Sequence, residues 1–429
     1  MNLVFENIVI KNCFFPIIDC KRFSTHNRNL IFFTGESGSG KTIFLRFLSG
    51  YLDFFEELDI NSDVILENST KIKWNEYSEN KKSNFYLGQD IDNFITGLYI
   101  IDEINSSVMD IDISEKIIKD NTCFEPFSMI SELSHGQKKL ILILKALYSK
   151  ANNIYLDEPF TYLDRFERDK VGNLIEIMVK KGKNVIIAGH GMELFHLEFE
   201  AMFEIKDKNI KSIDKKVIRK RFFDLKNTLR KNRICNGLSE NPVINVKDLC
   251  FSYKDNVVFD KQNFEFIKGS INGISGKNGC GKTTLAKILA NKLKLNKNNK
   301  SSIEYDKNTV FIGNNPDMYF LTNSCKKELS FFSEDTEKSI VDKVGFDIKD
   351  RKISELSYGQ KIRFLIYLYC SLNKNIFILD EIFAGQDMGN ILKIAGFLRK
   401  IANEGKTIII ISQDSFIVRM ISDKILRMD

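Results

Sequence analysis

GESGSGKT, residues 35–42, is met a second time as GKNGCGKT, residues 276–283. Each copy fits G-x-x-x-x-G-K-[ST] and stands between an apolar run (NLIFFTG, INGISG) and a helix-like segment (KTIFLRFLSGYL, KTTLAKILANKL). In that setting glycines let backbone N–H groups close around phosphate oxygens, the lysine neutralises β/γ charge and the hydroxyl holds Mg2+. The candidate phosphate cradle is Gly35, Ser37, Gly38, Gly40, Lys41 and Thr42 in the first copy. In the second it is Gly276, Asn278, Gly279, Gly281, Lys282, Thr283 and Thr284.

Working outward, the rest of the chain also repeats. LSHGQ at 133–137 recurs as LSYGQ at 356–360, and NIYLDEP recurs as NIFILDEI. The offset is 223 residues for these motifs, for Asp157 and Asp380, for Asp164 and Asp387, and for His190 and Gln413. It is 241 at the glycine loops, so the first copy holds 18 extra residues upstream, most of them expected in NSTKIKWNEYSENKKSNFY. Apolar strands alternating with helix-like spans predict an α/β nucleotide-binding layout in each half. Asp157 and Asp380, each closing an apolar strand, are expected at Mg2+; Glu158 and Glu381 are expected to polarise the attacking water. The segment VIRKRFFDLKNTLRK sets Ile218, Phe222, Leu225 and Leu229 on one helical face, with basic residues around the rest. The expected organisation is a first domain over 1–210, a basic linker over 211–242 and a second domain over 243–429.

Composition removes other classes. In 429 residues, 43% hydrophobic and 28% charged, the longest apolar runs fall far short of a membrane span, which takes about 20 residues. No secretion signal is recognised at the start, so a cytoplasmic location is expected. Eight cysteines lie scattered without a C-x-x-C pair, which argues against a zinc ribbon or an iron–sulfur cluster. The net charge of +6 is concentrated: twelve Lys or Arg against three Asp between Lys206 and Arg233 give +9. That stretch reads as a solvated linker or as a contact for nucleic acid or lipid headgroups.

The glycine loops, the LS-x-GQ motifs and the Asp-Glu pairs, in this order and twice over, resemble the ATP-binding cassette (ABC) ATPases across nearly the whole chain. The resemblance implies two P-loop ABC domains, each a RecA-like α/β core with an α-helical subdomain, forming a head-to-tail pseudo-dimer with ATP and Mg2+ as cofactors. Each site would combine the phosphate loop of one half with the signature of the other. Site one takes Lys41, Thr42, Gln89, Asp157, Glu158 and His190, completed by Ser357, Gly359, Gln360 and Asp387. Site two takes Lys282, Thr283, Asn314, Asp380, Glu381 and Gln413, completed by Ser134, Gly136, Gln137 and Asp164. Magnesium would be held by Thr42, Gln89 and Asp157, and by Thr283, Asn314 and Asp380. Tyr253, 23 residues ahead of its glycine loop, falls where the family stacks an aromatic on adenine; the same distance in the first half lands on Asn12, near Phe14 and Phe15. Gln413 stands where the family has a switch histidine. Either site two turns over slowly or the substitution is tolerated.

VFIGNNPDMYFLTNSCKKEL, and more weakly NFYLGQDIDNFITGLYIIDEI, are similar to the docking segment of energy-coupling-factor and cobalt/nickel-type transporter ATPases. Asn315, Pro316, Asp317, Glu328 and Leu329 fall on that pattern. Departures are Asn314 for glutamine, Ile382 for the proline after Glu381, and His135 and Tyr358 for the first signature glycine. The resemblance implies an ATPase peripheral to the inner face of the cell membrane, driving uptake of a vitamin or metal ion. Its expected partners are an integral membrane scaffold and a small substrate-binding membrane subunit, with no DNA. The alternative is a soluble tandem ABC ATPase of the translation-factor kind, whose partner is RNA or the ribosome. A DNA-repair cassette would need a long heptad insertion, and none exists.

Overall fold

The computed structural model describes residues 4–11, 15–25, 28–52, 58–65, 70–79, 83–190, 197–231, 242–253, 256–295, 302–303 and 308–428. The chain forms two compact units, Met1–Arg221 and Phe222–Asp429.

The first unit is built on a six-stranded sheet in the order Asn209–Ser212, Ala201–Lys206, Leu30–Thr34, Asn184–Ala188, Asn153–Asp157, Asn84–Leu87. It is parallel except for the hairpin at its first edge. LIFFT and NIYLD are buried at every position, as strands covered on both faces must be. An antiparallel sheet of Pro16–Ser24, Val4–Lys11, Asp59–Ile65 and Lys71–Lys73 forms a second layer. Between the two, Phe5, Phe23, Phe33, Phe44 and Phe47 pack as an aromatic core. The phosphate-loop helix Lys41–Ser49 starts at Gly40 (φ 95°) and stops at Gly50 (φ 74°), both left-handed, which is why glycine stands at each end.

Part of the 18-residue excess has a clear seat. Strand Lys71–Lys73 leads into helix Trp74–Glu79, and the Trp74 indole stacks on Phe47 at 5.5 Å while its N–H donates to the Phe47 carbonyl at 2.9 Å. Tyr77 donates to the Leu48 carbonyl at 2.8 Å. The inserted helix thus adds side-chain donors to carbonyls at the end of the phosphate-loop helix, where Phe47 also accepts from the Gly50 amide at 3.2 Å.

The second unit repeats the core. Its parallel sheet runs Thr309–Ile312, Ile376–Asp380, Thr407–Ile411, Ile271–Gly276, Lys424–Met428, the same order about the phosphate-loop strand. Strands Pro242–Tyr253, Asn256–Ile267 and Ser302–Ile303 make the antiparallel layer. A buried pair, Arg399 and Asp423 at 2.7 Å, fastens the last strand: Arg399 also donates to the Ile421 carbonyl, and Asp423 accepts from the Ile271 amide. In each unit the segment between the edge strand and the Asp-Glu strand is helical, as expected of the second subdomain. It holds Ile100–Val108, Ile111–Asn121 and His135–Tyr148 in the first unit, and Cys325–Leu329, Glu334–Val344 and Tyr358–Ser371 in the second.

Helix Lys215–Lys231 carries the basic segment. Ile218 is buried as the helical face requires, and Lys215 and Arg221 pair with Glu198 and Glu204. The side chains of Phe222, Leu225 and Leu229 lie outside the described residues, as do Asn12 and Phe14.

Candidate active site

The phosphate loops fold alike. Lys41 Nζ donates to the Gly35 and Glu36 carbonyls at 2.9 Å each; Lys282 Nζ donates to those of Gly276 and Lys277 at 2.8 and 2.6 Å. Gly38 and Gly279 share φ 79°, and Gly40 and Gly281 share φ 95°. Around this left-handed backbone a side chain is strained, and at Gly281 a Cβ would also meet Val258 at 2.6 Å. A cavity of about 480 Å3 adjoins the second loop, lined by Val257, Val258, Gly279, Cys280 and Arg427 among others. Tyr253 ends its strand 46% exposed, its ring edge-on to Phe251.

At the strand ends the two units place their carboxylates alike and hold them differently. Both oxygens of Asp157 are buried without a hydrogen-bond partner, and burial pushes its carboxyl up to about 6, the Glu158 charge adding to this while Thr42 and Lys41 oppose it. Asp380 Oδ2 accepts from the Thr283 hydroxyl at 2.8 Å, its Oδ1 is orphaned, and burial raises it too. Burying carboxylate oxygens with nothing to receive them is costly. A divalent cation beside Thr42 or Thr283 is the group these oxygens fit. Among the described residues no cluster of three acidic, His or Cys side chains could hold a metal alone. Mg2+ binds through one or two carboxylates, substrate phosphates and water, and Asp157 with Thr42, or Asp380 with Thr283, would supply the protein's share.

Glu158 and Glu381 share a left-handed backbone, φ 50° and 54°, and each amide donates to the neighbouring strand, at Ala188 and Ile411. Their carboxylates part company there. Glu158 Oε1 receives Gln89 Nε2 at 2.6 Å and stands 2.9 Å from His190 Nε2; Oε2 accepts from the Thr161 hydroxyl at 3.1 Å. Burial works to raise this carboxyl, yet the His190 contact, with Lys41 and Thr161, holds it below the ordinary glutamate range. Glu381 accepts instead from the Gln413 backbone amide at 2.8 Å and the Ser412 hydroxyl at 3.2 Å. Burial and the Asp380 charge push it up to about 7. The Gln413 side chain adds nothing to that grip, and its Oε1 is buried without a partner. The Asn314 carbonyl accepts from Tyr358 Oη at 3.2 Å. Thr161 and Ser412 were not picked out from the sequence. The signal existed, since 223 residues after Thr161 stands Ala384.

The signature residues cap helices. Ser134 Oγ accepts from the Gln137 amide and Gln137 Oε1 from the Ser134 amide; Ser357 and Gln360 repeat this. Such reciprocal boxes fix where a helix N-terminus points. Gly136 lets the Glu167 carboxylate approach, for an added Cβ would lie 2.6 Å from it, whereas at Gly359 the nearest atom is Ile394 at 3.5 Å. Asp164 and Asp387 are themselves N-caps of Arg165–Lys180 and Met388–Asn403.

Comparison with known proteins agrees with this geometry. Residues 21–161 and 259–384 match the ABC transporter family. A putative ABC transporter ATP-binding protein of Bacillus cereus is 24% identical over 483 residues, covering 95% of this chain and 85% of the relative. One of Treponema denticola is 24% identical over 445 residues, 91% and 88% of the two chains. Among solved structures, an RNase-L inhibitor superposes with a TM-score of 0.69 at 18% identity over 98% of this chain and 87% of its own. The archaeal ribosome recycling factor aABCE1, in complex with a ribosomal stalk protein, gives 0.66 at 19% identity over 96% and 85%. Two family matches on one chain, each holding a phosphate loop and an Asp-Glu strand end, make this protein a tandem, ATP-hydrolysing member of the ABC transporter family.

Proposed function

We propose that the first unit hydrolyses ATP while the second binds it and turns it over slowly, the pair energising uptake through separate membrane subunits. The observation that carries the asymmetry is the contrast between Glu158, gripped by Gln89, His190 and Thr161, and Glu381, held by one backbone amide and one serine hydroxyl. Glu158, kept ionised, orients the attacking water and takes its proton at Oε2, the oxygen with a single donor. His190 fixes the other oxygen and, with Lys41, faces the charge that develops on the phosphoryl group. Mg2+ held at Thr42 and Asp157 would neutralise phosphate charge, and the same pair at Thr283 and Asp380 would do so in the second unit. Losing one positioned contact costs on the order of 10²- to 10³-fold in rate, so Gln413 for His190 separates the units in turnover more than in binding.

The transport role is supported by the relatives' description as putative ABC transporter ATP-binding proteins. Among the described residues no helix is long and apolar enough to cross a membrane. In the segments similar to the docking motif, Leu98, Tyr99, Met318 and Leu321 are exposed, while Glu103 and Glu328 are buried and tie the turn through Thr96 and Thr322 amides. A polytopic scaffold and a small substrate-binding subunit, with a vitamin or metal ion as cargo, fit this reading. A ribosome-associated role is favoured by one observation, the helix Lys215–Lys231 with Phe223 exposed among Lys216, Arg219 and Lys220. Affinity purification from detergent-solubilised cells separates the two. Membrane subunits retained with the chain uphold transport; ribosomal proteins and RNA without them overturn it.

A further inference from the structure

Lys139 is a lysine that no motif explains. It lies on the signature helix His135–Tyr148, five residues beyond the Ser134 cap, and only 2% of it is exposed. Its Nζ donates to the Glu158 carbonyl at 3.1 Å and to the Thr161 carbonyl at 2.9 Å. Those are the two ends of the turn that holds Glu158 at φ 50°, closed by the Thr161 amide on the Glu158 carbonyl at 3.2 Å. A left-handed conformation at a non-glycine residue persists only where its surroundings over-determine it. A buried ammonium costs several kcal/mol. Its field is felt locally: burial first, then Lys139, lowers the proton affinity of His135 on the same helix.

The second unit shows what the turn is like without this lysine. At the 223-residue offset Lys139 becomes Ile362, fully buried, and Thr161 becomes Ala384. The turn survives, with the Ala384 amide on the Glu381 carbonyl at 3.2 Å. Lysine is therefore dispensable for the fold of the turn, and apolar packing serves there. What the first unit gains is a polar strut from signature helix to catalytic turn. A displacement of that helix is carried to the Glu158 backbone, and through it to the carboxylate.

We propose that Lys139 is a positioning residue for hydrolysis in the first unit, tying the place of Glu158 to that of the signature helix, a coupling the second unit lacks. This rests on the reading of Glu158 as the hydrolytic base. A misplacement of a catalytic group by about 1 Å costs around a hundredfold in rate. The test uses the full chain with Mg-ATP, measuring kcat and KM together with the stoichiometry of fluorescent nucleotide bound. Lys139→Met is expected to lower kcat about ten- to hundredfold, with KM within about threefold and nucleotide stoichiometry unchanged. The matched swap Ile362→Met is expected to leave both parameters at the wild-type level. Lys139→Gln, able to donate to one carbonyl, is expected to fall between, and it carries the test if Lys139→Met does not fold. A kcat within twofold of wild type, or a fall in kcat matched by lost nucleotide stoichiometry, overturns the proposal. Glu158→Gln is run alongside: if that variant keeps its activity, the reading of the first unit falls instead, and the two failures are told apart.

Discussion

On the proposed roles, Glu158→Gln should silence the first unit's base and leave Glu381 to supply what hydrolysis remains. Glu381 is pushed up to about 7 by burial and by the neighbouring Asp380, whereas Glu158 is held below the ordinary glutamate range by His190. A base works when ionised, so the rate in each unit follows the ionised fraction of its glutamate. For Glu381 at about 7, that fraction is about 0.09 at pH 6 and about 0.91 at pH 8. The residual activity of Glu158→Gln should therefore rise between pH 6 and pH 8, by up to about tenfold, since Mg2+ at Asp380 would offset part of the charge that raises Glu381. Glu381→Gln, relying on Glu158, should stay flat over the same interval and keep most of the wild-type rate. The assay is steady-state phosphate release at saturating Mg-ATP, with each variant normalised to bound nucleotide. A flat profile for Glu158→Gln, or a rising one for Glu381→Gln, refutes the argument that the two carboxylates are held in different protonation states.

Other consequences follow from the same contacts. Asp157 is raised from an ordinary value near 3.8 to about 6, so between those values the folded chain binds more protons than the unfolded one, and stability falls as pH rises through the window. At about 1.4 kcal/mol per unit this is a loss on the order of 3 kcal/mol, complete above about pH 6. Asp157→Asn should accordingly melt higher than wild type at pH 8 without nucleotide, and the gain should vanish near pH 4 by calorimetry. Trp74→Ala removes a buried indole stacked on Phe47 and leaves the Phe47 carbonyl with the Gly50 amide alone, so calorimetry should show the first unit destabilised by about 3–5 kcal/mol and the second unchanged. Gly136→Ala displaces the Glu167 carboxylate, which would lie 2.6 Å from the new Cβ, from the Asp164 amide it caps and should cost about 0.5–1 kcal/mol, while Gly359→Ala, with Ile394 at 3.5 Å, should be nearly neutral in the same measurement.

Much of this was legible in the chain itself because phosphate chemistry demands fixed spacings. A lysine must follow its glycines, and an acidic pair must end a buried strand, so Lys41, Lys282, Asp157 and Asp380 announce themselves. Ser134 and Gln137 were legible as the opening of a helix, but their side chains turn out to be spent on each other, since a reciprocal cap satisfies amides that the helix leaves open. Thr161 and Lys139 escaped notice for a different reason. Lys139 acts on the backbone of a turn, where a carbonyl acceptor leaves no mark on the sequence, and Thr161 reaches the Glu158 carboxylate from within that same turn. Only the paired comparison with Ala384 and Ile362 exposes them. Trp74 could be placed in the excess segment but not assigned a partner, because stacking on Phe47 joins residues whose spacing no motif prescribes.

The helix Lys215–Lys231 makes the two units parts of one polypeptide, and that continuity alters what a mutation can do. In an assembly of identical subunits every substitution arrives in both copies at once, so the loss of a switch histidine disables all sites together and selection removes it. Here the change at 413 is inherited without a change at 190. On the proposed asymmetry, fusion would fix the ratio of a strong copy to a weak one at one to one in every molecule, and no exchange of subunits could restore symmetry. Division of labour between the two sites, as proposed, would then be a property of the gene rather than of assembly.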